Sequence, residues 1–212
     1  MATNVMPPSL QPPILYPITS GATNSKTTPD DDEFIRILTL IEAAVEAEVS
    51  LVQIREKALG VRVLYELVTR ASEIVRGSLT RLLVNDRFDI ARAAGADGVQ
   101  LTSVSLPPRV VREICGAEFL IGASTHSLET ARAAREGGAD FVVFGPVFET
   151  ESKRGYGPPQ GLEKLKQVTD DLRGFPVIAI GGITLENAEQ CFAAGASGIA
   201  AITMFDVFNK SK

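Results

Sequence analysis

Residues 94–101 read Ala-Gly-Ala-Asp-Gly-Val-Gln-Leu, residues 137–144 read Gly-Gly-Ala-Asp-Phe-Val-Val-Phe, and residues 194–201 read Ala-Gly-Ala-Ser-Gly-Ile-Ala-Ala. Each stretch ends a helical pattern and leads into a short apolar run. The glycine suits the left-handed residue that closes a helix, and the small neighbours let helix and strand meet closely. Working outward, β-rich apolar runs occur at Ile14–Thr19, Leu51–Arg55, Arg81–Val84, Gly98–Leu101, Phe119–Gly122, Phe141–Phe144, Val177–Ile180 and Gly198–Ile202. Amphipathic stretches with helical spacing lie between them, at Phe34–Ala47, Val63–Arg76, Leu128–Glu136, Leu162–Asp171 and Leu185–Ala194. Near-continuous apolar strands separated by helices predict a parallel sheet buried on both faces. Eight such units in 212 residues fit a compact (β/α)8 TIM barrel. The alternative is a doubly wound open sheet, which lacks support because no Gly-x-Gly-x-x-Gly follows an early strand.

The Pro-rich residues 1–13 read as a flexible tail, and residues 14–212 as one barrel domain. The stretch from Met204 to Lys212 is too short for a full outer helix, so the final helix is expected to be truncated, or another segment or subunit covers that side. A homo-oligomer is compatible with this. The chain has 26 Asp and Glu against 21 Lys and Arg, which argues against a nucleic-acid partner. No apolar run approaches the ~18 residues of a membrane span. Cys115 and Cys191 are too few for a disulfide framework and lack metal-ligand spacing, which suits a cytoplasmic protein with two buried thiols. His126 is the single histidine, so a His-rich zinc site is excluded and imidazole chemistry rests on that residue.

Barrel active sites form where strands end. After the second strand comes Gln53-Ile54-Arg55-Glu56-Lys57. Alternation aims Gln53 and Arg55 the same way, with Lys57 just above. Two cations at a barrel mouth suit an anion such as phosphate; the competing reading is a solvated pair matched to Glu56. Asn85-Asp86-Arg87 follows the third strand, with Asp86 able to cap the next helix while facing a ligand. After the fifth strand, Ser127 is expected to cap a helix together with Thr130, and His126 stands at the mouth as an acid/base candidate. Residues 145–161 form the longest loop, with the features of a substrate lid. Gly181-Gly182 after the seventh strand lets backbone N–H groups approach a phosphate, and a helix starting near Thr184 would add its positive end.

The strings QIREK (53–57), VNDR (84–87), GADGVQL (95–101), IGASTHSLETA (121–131), GADFVVFGPVFETESKRG (138–155), PVIAIGGIT (176–184) and AGASGIAAIT (194–203) resemble the thiamine phosphate synthase/TenI family, in order, from about residue 14 to 205. The synthase branch joins a pyrimidine diphosphate to a thiazole phosphate with loss of diphosphate. The resemblance implies a diphosphate site at Arg55, Lys57, Asn85, Thr150, Ser152 and Lys153, and a pyrimidine contact at Gln53. It implies a thiazole phosphate site at Gly182, Ile202 and Thr203. It also implies Mg²⁺ between Asp86 and a second Asp in a His-Leu-Gly-Gln-x-Asp motif. Here that motif reads Gln100-Leu101-Thr102-Ser103-Val104-Ser105, so Ser105 stands in place of the second carboxylate.

The TenI branch aromatises a carboxylated thiazole phosphate by moving a proton, a task for a phosphate anchor and an acid/base without metal. The strings from Val99 to Pro108 and from Phe144 to Gly155 look like TenI, and the TenI histidine lands on His126. An imidazole titrates near neutrality and can take and return a proton. The missing carboxylate therefore favours a thiazole tautomerase that needs no cofactor. The alternative is thiamine phosphate synthase with Mg²⁺ at Asp86, and a third reading is a non-catalytic binder of thiamine intermediates.

Overall fold

In the computed structural model, residues 10–150 and 158–202 are described. The chain alternates strand and helix: β1 (Ile14–Pro17), α1 (Asp32–Glu46), β2 (Leu51–Ile54), α2 (Val61–Val75), β3 (Arg81–Asn85), α3 (Phe88–Ala93), β4 (Gly98–Leu101), α4 (Pro108–Cys115), β5 (Leu120–Thr125), α5 (Leu128–Glu136), β6 (Phe141–Phe144), α6 (Gly161–Asp171), β7 (Val177–Ile180), α7 (Ala188–Ala193) and β8 (Gly198–Ala201). The eight strands pair in parallel in the order β1-β8-β7-β6-β5-β4-β3-β2. A single bridge, Ile18 to Gln53, brings β1 against β2 and nearly closes the ring; the Thr19 N–H donates to the Gln53 carbonyl at 3.0 Å. The fold is the (β/α)8 barrel that the apolar runs predicted.

Two apolar layers hold it. Between strands and helices pack Phe34, Ile41, Leu67, Leu82, Ile121 and Phe144, all buried. Inside the ring lie Ile14, Tyr16, Leu51, Leu83, Phe141, Ile178 and others. Gly122 shows how full that interior is: a Cβ there would sit 2.3 Å from Gln100 Oε1 and 2.4 Å from Phe141. Leu10 joins the interior cluster, only 1% exposed. Barrel packing therefore begins inside the stretch assigned to the tail, four residues before Ile14; residues 1–9 lie outside the described residues. So do residues 203–212, on which the expectation of a truncated last helix falls.

The repeat that announced the fold does two jobs. Gly95, Gly138 and Gly195 adopt left-handed φ of 76°, 86° and 89° after α3, α5 and α7. The fourth residue of each stretch then clasps the preceding strand. Asp97 accepts the Leu82 N–H, Asp140 the Ile121 N–H and Ser197 the Val177 N–H, at 2.8, 2.7 and 3.4 Å. The backbone N–H of each returns a bond to the carbonyl of the same strand residue. Each clasp ties the base of one strand to the start of the next.

Arg112 extends the clasp at Asp140. Its guanidinium donates to the carbonyls of Gly116, Ala117, Phe119 and Gly138 and to Asp140 Oδ2 at 2.7 Å. Burial pushes the Asp140 carboxyl up, against the lowering pull of the Ile121 N–H and Arg112. Arg112→Ala is expected to destabilise the fold by about 2–3 kcal/mol at neutral pH, since a partly buried carboxylate loses its partner. Without Arg112 the folded-state value of Asp140 rises further above its unfolded value. The penalty of a charged Asp140 should therefore be present above the folded value and fade as pH falls below it. Urea denaturation at neutral and acid pH measures both.

Candidate active site

The pleat turns Gln53, Asn85, Gln100 and Ser124 towards the upper interior of the ring, making one arc polar while Val143, Ile178 and Ala200 keep the other apolar. Gln53 and Gln100 are 2% and 3% exposed, so their amides need partners. Gln53 Nε2 donates to Asn85 Oδ1 at 3.3 Å. Gln100 accepts from the Tyr16 hydroxyl at 3.3 Å and donates to Ser124 Oγ at 3.0 Å. Burial pushes the Tyr16 phenol well up, so it stays protonated and donates. Gln100 thus has both its amide groups committed, and its side chain is pinned.

Arg55 and Lys57 follow β2 at the mouth, the first half-buried and the second exposed. Glu56, between them, is buried and turned to the β1 side, accepting from the Gly21 N–H, the Thr23 N–H and, at 2.6 Å, the Thr23 hydroxyl. Among the described residues neither Arg55, half-buried, nor Lys57, exposed, forms an ion pair with Glu56, whose carboxylate is taken by Gly21 and Thr23. The Arg55 N–H donates to Thr19 Oγ1 at 2.8 Å, fixing the backbone from which the guanidinium extends.

Asp86 departs from its expected role. The residue that caps α3 is Arg87, with no side-chain cap bond, and Asp86 itself has a left-handed φ of 63°. A non-glycine residue held there costs about 1–3 kcal/mol and marks a candidate functional position. The Asp86 N–H donates to the Gln100 carbonyl at 2.9 Å, and Oδ1 accepts from the Ser105 hydroxyl.

His126 is exposed as a whole, and its Nδ1 contacts the Gly145 carbonyl just past β6. A carbonyl only accepts, so Nδ1 carries the proton and Nε2 has the free lone pair. Ser127 caps α5 with Thr130 in a reciprocal capping box, as expected.

Gly181 and Gly182 are glycines chiefly because the loop after β6 lies on them. Their φ are 99° and 64°, and a Cβ would meet Pro146 at 2.5 Å in one case and the Glu149 carbonyl at 2.4 Å in the other. The Phe148 N–H donates to the Gly181 carbonyl at 2.9 Å, tying that loop down. Among the described residues the N–H groups of Gly181, Gly182 and Ile183 have no acceptor, which keeps them available to an anion. The expected helix near Thr184 begins only at Ala188 and has six residues. Residues 184–187 form a turn held by Asn187, whose side chain accepts from the Thr184 N–H and donates to the Gly182 carbonyl. The helix's positive end is therefore displaced from the glycines. Ile202 follows β8 and is 36% exposed. Thr150 is half-buried; Ser152, Lys153 and Thr203 lie outside the described residues.

A divalent cation would find the carboxylate of Asp86 at this mouth. Among the described residues no three His, Cys, Asp or Glu side chains come together. That set fits a Mg²⁺ whose other ligands are water and a phosphate group, and not an ion held by protein alone.

Barrels host many chemistries, so the fold alone does not choose one. The family model described as thiamine monophosphate synthase matches residues 16–205. The chain belongs to the thiamine monophosphate synthase family. It is 41% identical over 172 residues to the thiamine-phosphate synthase of Chlorobium phaeovibrioides, covering 81% of this chain and 82% of that one. It is 39% identical over 163 residues to the thiamine-phosphate synthase of Clostridium novyi, covering 77% and 79%. A solved structure of a thiamine phosphate pyrophosphorylase from Pyrococcus furiosus superposes with a TM-score of 0.75 and 34% identity over 90% of this chain and 85% of that one. These relatives carry the transferase name; nothing in the comparisons is specific to the tautomerase branch that the missing carboxylate had favoured. The family's business is thiamine biosynthesis, and no helix among the described residues is long and apolar enough to cross a membrane.

Proposed function

We propose that this protein is a thiamine phosphate synthase: it transfers the hydroxymethylpyrimidine group from its diphosphate to thiazole phosphate. The observation that carries this reading is the pair Arg55 and Lys57, unpaired among the described residues because Glu56 is engaged elsewhere. A diphosphate leaving group gives such a pair work at the moment of reaction; a proton shift on a thiazole ring does not.

The thiazole nitrogen attacks the methylene carbon attached to the pyrimidine. The new C–N bond forms as the C–O bond breaks, and that electron pair leaves on the diphosphate. Arg55 and Lys57, with Asn85 and Thr150, stabilise the charge that builds on the departing oxygen. Gln53, pinned through Asn85, orients the pyrimidine. The N–H groups at Gly181 and Gly182, with Ile202 and Thr203, hold the thiazole phosphate opposite. Asp86 would hold one side of a Mg²⁺ carried on the diphosphate. That ion supplies further charge neutralisation to the leaving group. The partners are small phosphorylated molecules, consistent with a cytoplasmic enzyme.

Thiazole tautomerase remains the second reading, favoured by one observation: the Gly145 carbonyl fixes His126 in the tautomer that leaves Nε2 as a base. Side-by-side assays of the purified chain separate the two. Thiamine phosphate should form from the two precursors with Mg²⁺; aromatisation of the carboxythiazole without any coupling would reverse the assignment. His126→Asn should leave coupling within about tenfold of wild type. Loss of about 10²–10⁴-fold, the usual value of a positioned acid/base, would make His126 central instead.

A further inference from the structure

The hydroxyl of Ser105 has every bonding position filled. It donates its one proton to Asp86 Oδ1. It accepts the Thr102 N–H at 2.8 Å and, its own proton being committed, also accepts from the Thr102 hydroxyl at 2.9 Å. Two lone pairs and one proton are all that a serine hydroxyl has. Ser105 therefore has no lone pair for a cation, and it occupies one of the two Asp86 oxygens as well. The Ser105 N–H donates to the Thr102 carbonyl at 3.2 Å, so the turn that presents the hydroxyl is itself closed.

We propose that Ser105 makes metal binding in this protein conditional on diphosphate: Mg²⁺ is taken up only as its diphosphate complex, never by the empty site. This deepens the synthase reading and rests on it. With Oδ1 engaged, Asp86 offers a six-coordinate ion a single free oxygen, too little by itself to strip its water shell. Diphosphate oxygens supply the rest, and Arg55 and Lys57 recruit them. An aspartate at position 105 could still accept the Thr102 N–H. It would release Asp86 Oδ1 and place a second carboxylate beside it. Without metal those two charges would repel; with metal they would share it.

Two binding measurements test this without an activity assay. Mn²⁺ added to the protein alone is followed by the electron paramagnetic resonance signal of the free ion. Inorganic pyrophosphate binding is followed by equilibrium dialysis, with and without Mg²⁺. Wild type should leave the Mn²⁺ signal free, while Mg²⁺ should tighten pyrophosphate binding by about tenfold or more. Ser105→Asp should bind Mn²⁺ alone at least about tenfold tighter than wild type. Asp86→Asn should abolish the Mg²⁺ enhancement and keep the metal-free pyrophosphate affinity, a second test should Ser105→Asp fail to fold. Tight Mn²⁺ binding by wild type alone, or a folded Ser105→Asp with no gain, overturns the proposal. Pyrophosphate bound equally with and without Mg²⁺ overturns it too, while leaving the diphosphate site standing. Pyrophosphate bound under neither condition overturns the synthase reading itself.

Discussion

Arg55→Ala is expected to lower kcat/KM for thiamine phosphate formation by about 10²–10³-fold, the usual cost of removing a preorganised donor from a developing anion. The loss should fall on both kinetic constants. Diphosphate is already charged in the bound substrate, so part of the effect appears in KM. The charge that builds on the bridging oxygen as it leaves exists only in the transition state, so the rest appears in kcat. Arg55→Lys should recover only part of the loss, because an ammonium cannot bind two phosphate oxygens in a planar fork. The fold should survive, since the bond from residue 55 to Thr19 Oγ1 uses the backbone N–H. Steady-state kinetics with a thermal melt as control measure this. Coupling activity unchanged in Arg55→Ala would remove the observation on which the synthase reading stands.

The barrel was legible because its signals are local. The left-handed glycines and the apolar runs sit within a few residues of one another, and β4, β6 and β7 begin and end where the sequence placed them. The α7 start was misplaced by a side-chain effect: Asn187 folds back on Thr184 and Gly182, making a turn out of residues with helical spacing. The inward direction of a side chain was legible where alternation alone decides it, as for Gln53. The site was not legible where a partner lies far along the chain. Tyr16 and Gln100 are 84 residues apart, and Glu56 meets Thr23 33 residues earlier. A sequence signal did exist for the buried arc: Asn85 and Gln100 are polar at paired positions of adjacent strands, and a polar residue facing a packed interior needs a partner. Asp86 illustrates the opposite case. Its short carboxyl suits a cap, and only the backbone shows that it sits in a left-handed conformation beside Ser105 instead.

Gly182→Ala tests whether the junction of the β6 and β7 loops shapes the thiazole phosphate site. Two separate costs apply at this position. The left-handed backbone, φ 64°, penalises any Cβ by about 1–2 kcal/mol. The added methyl would also lie 2.4 Å from the Glu149 carbonyl and 2.8 Å from Phe148 Cβ, so the backbone of the β6 loop must move. Gly95 separates the two costs. Its φ is 76°, yet a Cβ there meets nothing within 4 Å, and it lies at the opposite end of the barrel. Gly95→Ala should therefore lose about 1–2 kcal/mol of stability and keep full activity. Gly182→Ala should lose a further 1–3 kcal/mol, roughly, through overpacking. Displacing the loop that carries Thr150 should lower coupling activity by about 10²-fold, the effect of moving a positioning group by an ångström. The KM for thiazole phosphate should rise more than that for the pyrimidine diphosphate, because the disturbed N–H groups are the ones proposed to hold the former. Equal activity in the two variants would show that these glycines serve only the packing of one loop on another, and the anion site would have to be sought elsewhere on the barrel mouth.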